Sequence, residues 1–137
     1  MIKIQTKKKL GQHFLINETT AKLISNTFDG TNNVLEIGPG MGVLTKYIHE
    51  NRSKITLIEI DLECVNYLNK IYKNIKIIHG DILKIKLENL FKENFSVISN
   101  LPYNISSQVF FKILESRDKI DHFTFMVQKE VGERICS

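Results

Sequence analysis

Cysteine is scarce in this 137-residue sequence: there are two, Cys64 and Cys136, far apart along the chain. A disulfide-stapled scaffold is thereby excluded, and reduced, structural thiols are expected. The four histidines, His13, His49, His79 and His122, form no ligand-like pair with either cysteine or with one another, so no metal site is expected. No apolar run reaches the roughly 18 to 20 residues that cross a bilayer. The start, Met1 to Lys9, also lacks the apolar centre of a secretion signal. The expectation is a soluble, cytoplasmic protein with no membrane partner. Internal repeats, low-complexity tracts and linker-like stretches are missing too. With 42% hydrophobic residues, the chain can build one packed core and is too short for two.

The net charge of +4 is unevenly placed, because Lys3, Lys7, Lys8 and Lys9 precede the first acidic residue, Glu18. Beyond them, 15 basic side chains balance 15 acidic ones. A basic arm beside a neutral domain suits contact with nucleic-acid phosphates, where each paired lysine releases condensed counterions, and Lys7, Lys8 and Lys9 are the candidates. Charge alone fits a solvated, disordered terminus equally well.

Strand-forming runs are predicted at Asn33 to Ile37, Ile55 to Ile60, Ile75 to Ile78, Phe95 to Ser99 and Phe123 to Val127. They are too uniformly apolar to have a wet face, which is how buried parallel strands look. Between them, three groups fall on single helical faces: Val43, Leu44, Tyr47 and Ile48; Val65, Leu68 and Ile71; Val109, Phe110, Ile113 and Leu114. Asp61 is the expected cap of the second helix and Ser106 or Ser107 of the third. Asn17 would cap an earlier helix over about Glu18 to Phe28, and Gln128 to Ser137 begins another. Strands alternating with helices predict a doubly wound α/β fold, a Rossmann-like sheet of about five parallel strands with helices on both faces. The fifth strand would leave an apolar sheet edge that proteins usually cover.

Two motifs follow strands. In Glu36-Ile37-Gly38-Pro39-Gly40-Met41-Gly42, glycines at alternate positions let the backbone turn sharply and approach a ligand closely. A dinucleotide fingerprint would need glycine at position 43, where the chain has Val43, so pyrophosphate binding and a nicotinamide-dependent oxidoreductase lose support. S-adenosylmethionine has no pyrophosphate and asks for an acid near its ammonium, a supporting role open to Glu36. Glu59 ends the second strand 21 residues after Gly38, close to the roughly 20 expected of the acid that receives both ribose hydroxyls. Asp81 follows the third strand, where its carboxylate would lie beside an adenine amine.

The second motif, Asn100-Leu101-Pro102-Tyr103, follows the fourth strand at the sheet edge where ligands of open α/β folds collect. The exocyclic amine of adenine is a poor nucleophile because its lone pair is shared with the ring. The Asn100 side-chain oxygen and the Leu101 carbonyl can take its two hydrogens, Pro102 restricts the backbone between them, and Tyr103 can stack on the base. Together the motifs predict methyl transfer from S-adenosylmethionine to an adenine, driven mainly by positioning.

These residues, with Lys9-Leu10-Gly11-Gln12-His13-Phe14-Leu15, resemble the ribosomal RNA adenine dimethyltransferase family, most closely its small-subunit branch. The resemblance implies that residues 1–17 form a basic arm folding over the cofactor, with His13 and Leu15 contacting S-adenosylmethionine alongside Gly38, Gly40, Glu59, Asp81 and Asn100. It implies dimethylation of two adjacent adenosines in a hairpin loop of the RNA in a small-subunit assembly particle, during ribosome biogenesis. Loop bases can be splayed out at low cost. Related large-subunit enzymes of the macrolide-resistance type usually carry isoleucine where this chain has Leu101. Members continue for about as many residues again, with two more strands and a small helical RNA-binding domain. The resemblance therefore implies that residues 18–137 are an incomplete catalytic domain, and that the motifs describe the complete enzyme. A non-catalytic assembly factor with the same fold and arm is the competing class.

Overall fold

The computed structural model describes residues 18–28, 33–50, 54–100, 105–126 and 129–137. Five strands form one sheet: β1 (Asn33–Ile37), β2 (Lys54–Glu59), β3 (Lys76–His79), β4 (Phe95–Asn100) and β5 (Ile120–Met126). All pair in parallel, in the order β3-β2-β1-β4-β5. Helix α1 (Glu18–Thr27) precedes β1, α2 (Val43–His49) and α3 (Leu62–Ile71) follow β1 and β2, and α4 (Ser106–Glu115) and α5 (Lys129–Cys136) flank β5. Two short 3-10 turns, Ile82–Lys84 and Leu87–Asn89, carry the chain from β3 to β4.

Alternating side chains divide the core between the two sheet faces. Val34, Leu57 and Ile98 pack with Ala21, Leu44, Ile48 and Leu68 from α1, α2 and α3. Leu35, Ile37, Ile58 and Val97 pack with Val109 and Ile113 from α4 and with Ile82 and Leu87 from the 3-10 turns. Each such buried aliphatic side chain contributes about 1.5–3 kcal/mol, which explains why both faces must be covered.

The predicted strands recur with shifted ends. β2 stops at Glu59, so Ile60 lies outside it and is exposed. The expectation of no wet face holds for β1 and β4, and for β2 after its exposed first residue, Lys54. It fails at the sheet edges, where β3 exposes Lys76 and His79 and β5 exposes Asp121, His122 and Phe123, because an edge strand has a neighbour on one side only.

β5 begins at Ile120, earlier than predicted, and contains a register shift: Phe95 pairs with Ile120 but Ser96 with His122, leaving Asp121 as the extra residue. The irregularity puts Ile120 and Phe125 against one core cluster although strict alternation would send them to opposite faces. Asp61 caps α3, accepting from the Glu63 N–H at 2.9 Å. Neither Ser106 nor Ser107 caps α4. That helix already starts at Ser106, and the capping position falls on Ile105 with no side-chain bond. Ile71 was expected on the buried face of α3 and is exposed, because it is the last residue of the helix; Cys64 is buried in its place.

Candidate functional site

The strand order reverses between β1 and β4, since the chain leaves β1 toward β2 on one side and returns to β4 on the other. A crevice opens at such a switch point, beyond the carboxyl ends of the strands. The glycine turn lies there. Gly38, Gly40 and Gly42 have φ of 68°, 59° and 83°, the left-handed region that favours glycine. The turn is closed by Gly42 N–H donating to Pro39 O at 2.9 Å and anchored by Gly38 N–H donating to Ile58 O at 2.8 Å.

Glu59, at the carboxyl end of β2, is held by the backbone. Its Oε2 accepts from Gly40 N–H at 2.9 Å and its Oε1 from Asp61 N–H at 3.0 Å. A carboxylate has about four lone-pair positions, so each oxygen keeps capacity for one more donor, the demand made by two vicinal hydroxyls. Burial raises its proton affinity, with a smaller rise from the Asp61 charge, and the backbone N–H groups of Asp61, Gly40 and Ile60 work in the opposite direction. Asp81 follows β3, where its Oδ1 accepts from Leu83 N–H at 3.0 Å as the cap of a 3-10 turn.

Asn100 is the last residue of β4 and half-buried. A Cβ added to Gly38 would stand 3.9 Å from the Asn100 carbonyl oxygen, so β4 ends directly beside the glycine turn. Ser99 fastens the two strands there, its Oγ donating to Ile37 O at 2.6 Å. Glu59 and Asn100 end the strands on either side of β1, and two strand spacings separate such ends by about 10 Å. The structure thus brings Gly38, Gly40, Glu59 and Asn100 to one edge. Lys7, Lys8, Lys9, His13, Leu15, Leu101, Pro102 and Tyr103 lie outside the described residues, as does Asn17.

Glu36 is 1% exposed and sits beneath α2, with Thr45 Oγ1 donating to its Oε2 at 2.6 Å. Burial pushes its carboxyl up to about 8, against the lowering effect of the Thr45 bond and with a further rise from the Glu59 charge. Sequence reasoning missed Thr45. The available signal was an acid in an otherwise apolar central strand, which demands a donor close by.

A glycine turn and a strand-end acid at the switch point of a 3-2-1-4-5 parallel sheet define a Rossmann-like methyltransferase domain, and solved structures share it. The 23S rRNA methyltransferase ErmE superposes with a TM-score of 0.77 at 28% identity, over 87% of this chain and 49% of that one. A dimethyladenosine transferase from Plasmodium falciparum gives 0.78 at 30% identity, over 91% and 46%. The chain belongs to the ribosomal RNA adenine dimethylase family, whose pattern it matches over residues 3–137. It is 50% identical to ribosomal RNA small subunit methyltransferase A of Flavobacterium johnsoniae, over 99% of this chain and 54% of that protein. It is 48% identical to the protein of the same name from Parabacteroides distasonis, over 98% and 52%. The chain spans about half the length of the curated relatives it matches. Among the described residues no helix is long and apolar enough to cross a membrane.

Proposed function

We propose that the chain carries the S-adenosylmethionine-binding part of a small-subunit ribosomal RNA adenine-N6 dimethyltransferase acting in the cytoplasm. The observation that carries this is the Glu59 carboxylate, fixed by Gly40 and Asp61 N–H groups beside the open Gly38 turn, with only β1 between its strand and the strand that ends in Asn100. The residues fit the cofactor: Gly38 and Gly40 put no side chain between the turn's backbone and a ligand, Glu59 has acceptor capacity for a ribose diol, and Asp81 is the acid for the adenine amine. His13 and Leu15, in the arm of residues 1–17, close over it. When bound, S-adenosylmethionine supplies an electrophilic methyl group on a sulfonium.

The protein's own contribution is to place and polarise the target amine. The Asn100 amide oxygen and the Leu101 carbonyl accept its two hydrogens, drawing the nitrogen toward tetrahedral geometry, while Pro102 limits the backbone and Tyr103 stacks on the base. No base of tuned proton affinity is required, because the amine becomes strongly acidic only as it gains the methyl group. Lys7, Lys8 and Lys9 contact RNA phosphates. The names of the most similar relatives and Leu101 both favour small-subunit over large-subunit RNA.

The test is transfer of tritiated methyl to undermethylated small subunits by a full-length relative. Substituting alanine for the residue matching Asn100 should lower incorporation by roughly 100-fold or more, and glutamine for the one matching Glu59 should raise KM for the cofactor. Label indifferent to both refutes the assignment. RNA binding that needs no cofactor and survives the Asn100→Ala change, with no transfer at all, would mark a non-catalytic assembly factor instead.

A further inference from the structure

The Glu36 carboxyl, whose sequence position left it a supporting role near the ammonium, makes none of the direct contacts of the proposed site and is buried directly behind the turn. Its partner, Thr45, is 0% exposed in the first part of α2. One 2.6 Å hydrogen bond therefore joins the strand that enters the glycine turn to the helix that leaves it, closing residues 36–45 from beneath.

The surroundings of this pair are sparse in compensating charge. Glu59, from β2, is near enough for its charge to act on Glu36. Tyr72, just past α3, packs over the same space and feels the charge of Glu36. On α2, Lys46 turns outward to Glu18 at 3.5 Å, and the His49 ring meets Tyr72 edge-on at 5.4 Å. The strand neighbours of Glu36 are the apolar Leu57 and Ile98. Two carboxyl groups thus share one turn with no cation of the protein between them among these neighbours, and the turn is where a cationic ligand is proposed to settle.

We propose that Thr45 is a positioning residue of this turn: by holding the Glu36 carboxyl beneath the glycines it sets how much negative charge the turn offers a cationic ligand. The inference rests on the S-adenosylmethionine reading, whose sulfonium and ammonium are the cations concerned. The hydroxyl favours the carboxylate form, while burial and Glu59 favour the neutral acid. A cation arriving at the turn favours the carboxylate, so the Glu36 contribution to affinity grows as pH rises toward its midpoint and levels off above it. Removing the hydroxyl moves that midpoint upward.

The experiment uses a full-length relative carrying the changes that match Thr45→Val, Thr45→Ser and Glu36→Gln. The Glu36 carboxyl is titrated by 13C NMR, its resonance assigned by its loss in Glu36→Gln, and S-adenosylmethionine binding is measured calorimetrically across the same pH range. The ligand's amine titrates at about 7.7–8.0 and is common to all variants, so the quantity read is the ratio of affinities to that of the unaltered relative. Thr45→Val should shift the Glu36 titration upward and weaken binding about tenfold near the midpoint, the loss of one hydrogen bond to a charged group, with recovery at higher pH. Thr45→Ser should restore both. If circular dichroism shows the valine variant unfolded, Thr45→Ala is read in its place. An unmoved Glu36 titration, or binding with a ratio flat in pH, overturns the inference alone. No binding by the unaltered full-length relative at any pH overturns the cofactor reading and the inference with it.

Discussion

Alanine at Gly42 should damage the fold more than alanine at Gly38, and the difference should come from a single methyl contact. Both glycines lie at positive φ, 83° and 68°, where a Cβ costs about 1–2 kcal/mol. The reduced freedom of the unfolded chain returns about 0.4–1 kcal/mol of that. At Gly38 the nearest atom to a new Cβ is the Asn100 carbonyl oxygen at 3.9 Å, an ordinary contact. At Gly42 the new Cβ would stand 2.9 Å from Leu68 Cδ2, with Tyr72 Cε2 at 3.6 Å and Thr45 Cβ at 3.8 Å. Leu68 is 0% exposed, so its methyl cannot swing into solvent, and overpacking of this kind costs about 1–3 kcal/mol. Urea unfolding should therefore place Gly42→Ala about 1–3 kcal/mol below Gly38→Ala. Combining Gly42→Ala with Leu68→Ala should recover most of that difference as a favourable coupling energy. Variants equal to within about 0.5 kcal/mol, the usual additivity error, would refute the packing argument.

Two further outcomes follow from the same region. Glu36 ionises near 8 in the folded chain against an ordinary 4.5, so between those values the folded state binds more protons than the unfolded one. Stability should then fall as pH rises from about 5 to about 8 and level off above; Glu36→Gln, which keeps an acceptor for Thr45, should flatten much of that slope in urea titrations at the two ends of the range. The raised proton affinity of Glu59 acts in the same direction and leaves a residual slope. Asp61→Ala should cost about 0.5–2 kcal/mol in thermal unfolding through loss of the α3 cap. Its backbone bond to Glu59 survives the change, so S-adenosylmethionine affinity measured by calorimetry should move less than stability does.

How much of this could be read in advance depended on the range of the interaction. The strands around Leu35, Leu57 and Val97 were legible because a strand buried on both faces must be apolar throughout. The Asp61 cap was legible because capping is a local hydrogen bond. The ends were harder. Ile60 and Ile71 look like core residues by pattern, yet Ile60 lies just past the end of β2 and Ile71 is the last residue of α3, and both are exposed. The Asp121 irregularity was invisible, since an extra residue in an edge strand leaves no mark on composition. The spacing of Glu59 from Gly38 predicted an acid near the turn but not that backbone N–H groups at Gly40 and Asp61 would orient it. The bond between Thr45 and Glu36 could be sought only once burial of that acid was known.

The latch between Ser99 and Ile37 joins residues 62 positions apart, and it has a consequence for how the protein is made. The two backbone groups that grip Glu59, at Gly40 and Asp61, lie within about twenty residues of it, so that side of the crevice rests on contacts short in sequence. The wall carrying Asn100 arrives only when β4 has been synthesised and inserted beside β1. Closing so distant a contact is slow compared with local structure, so the two sides of the crevice are expected to meet only at the step in which β4 pairs with β1.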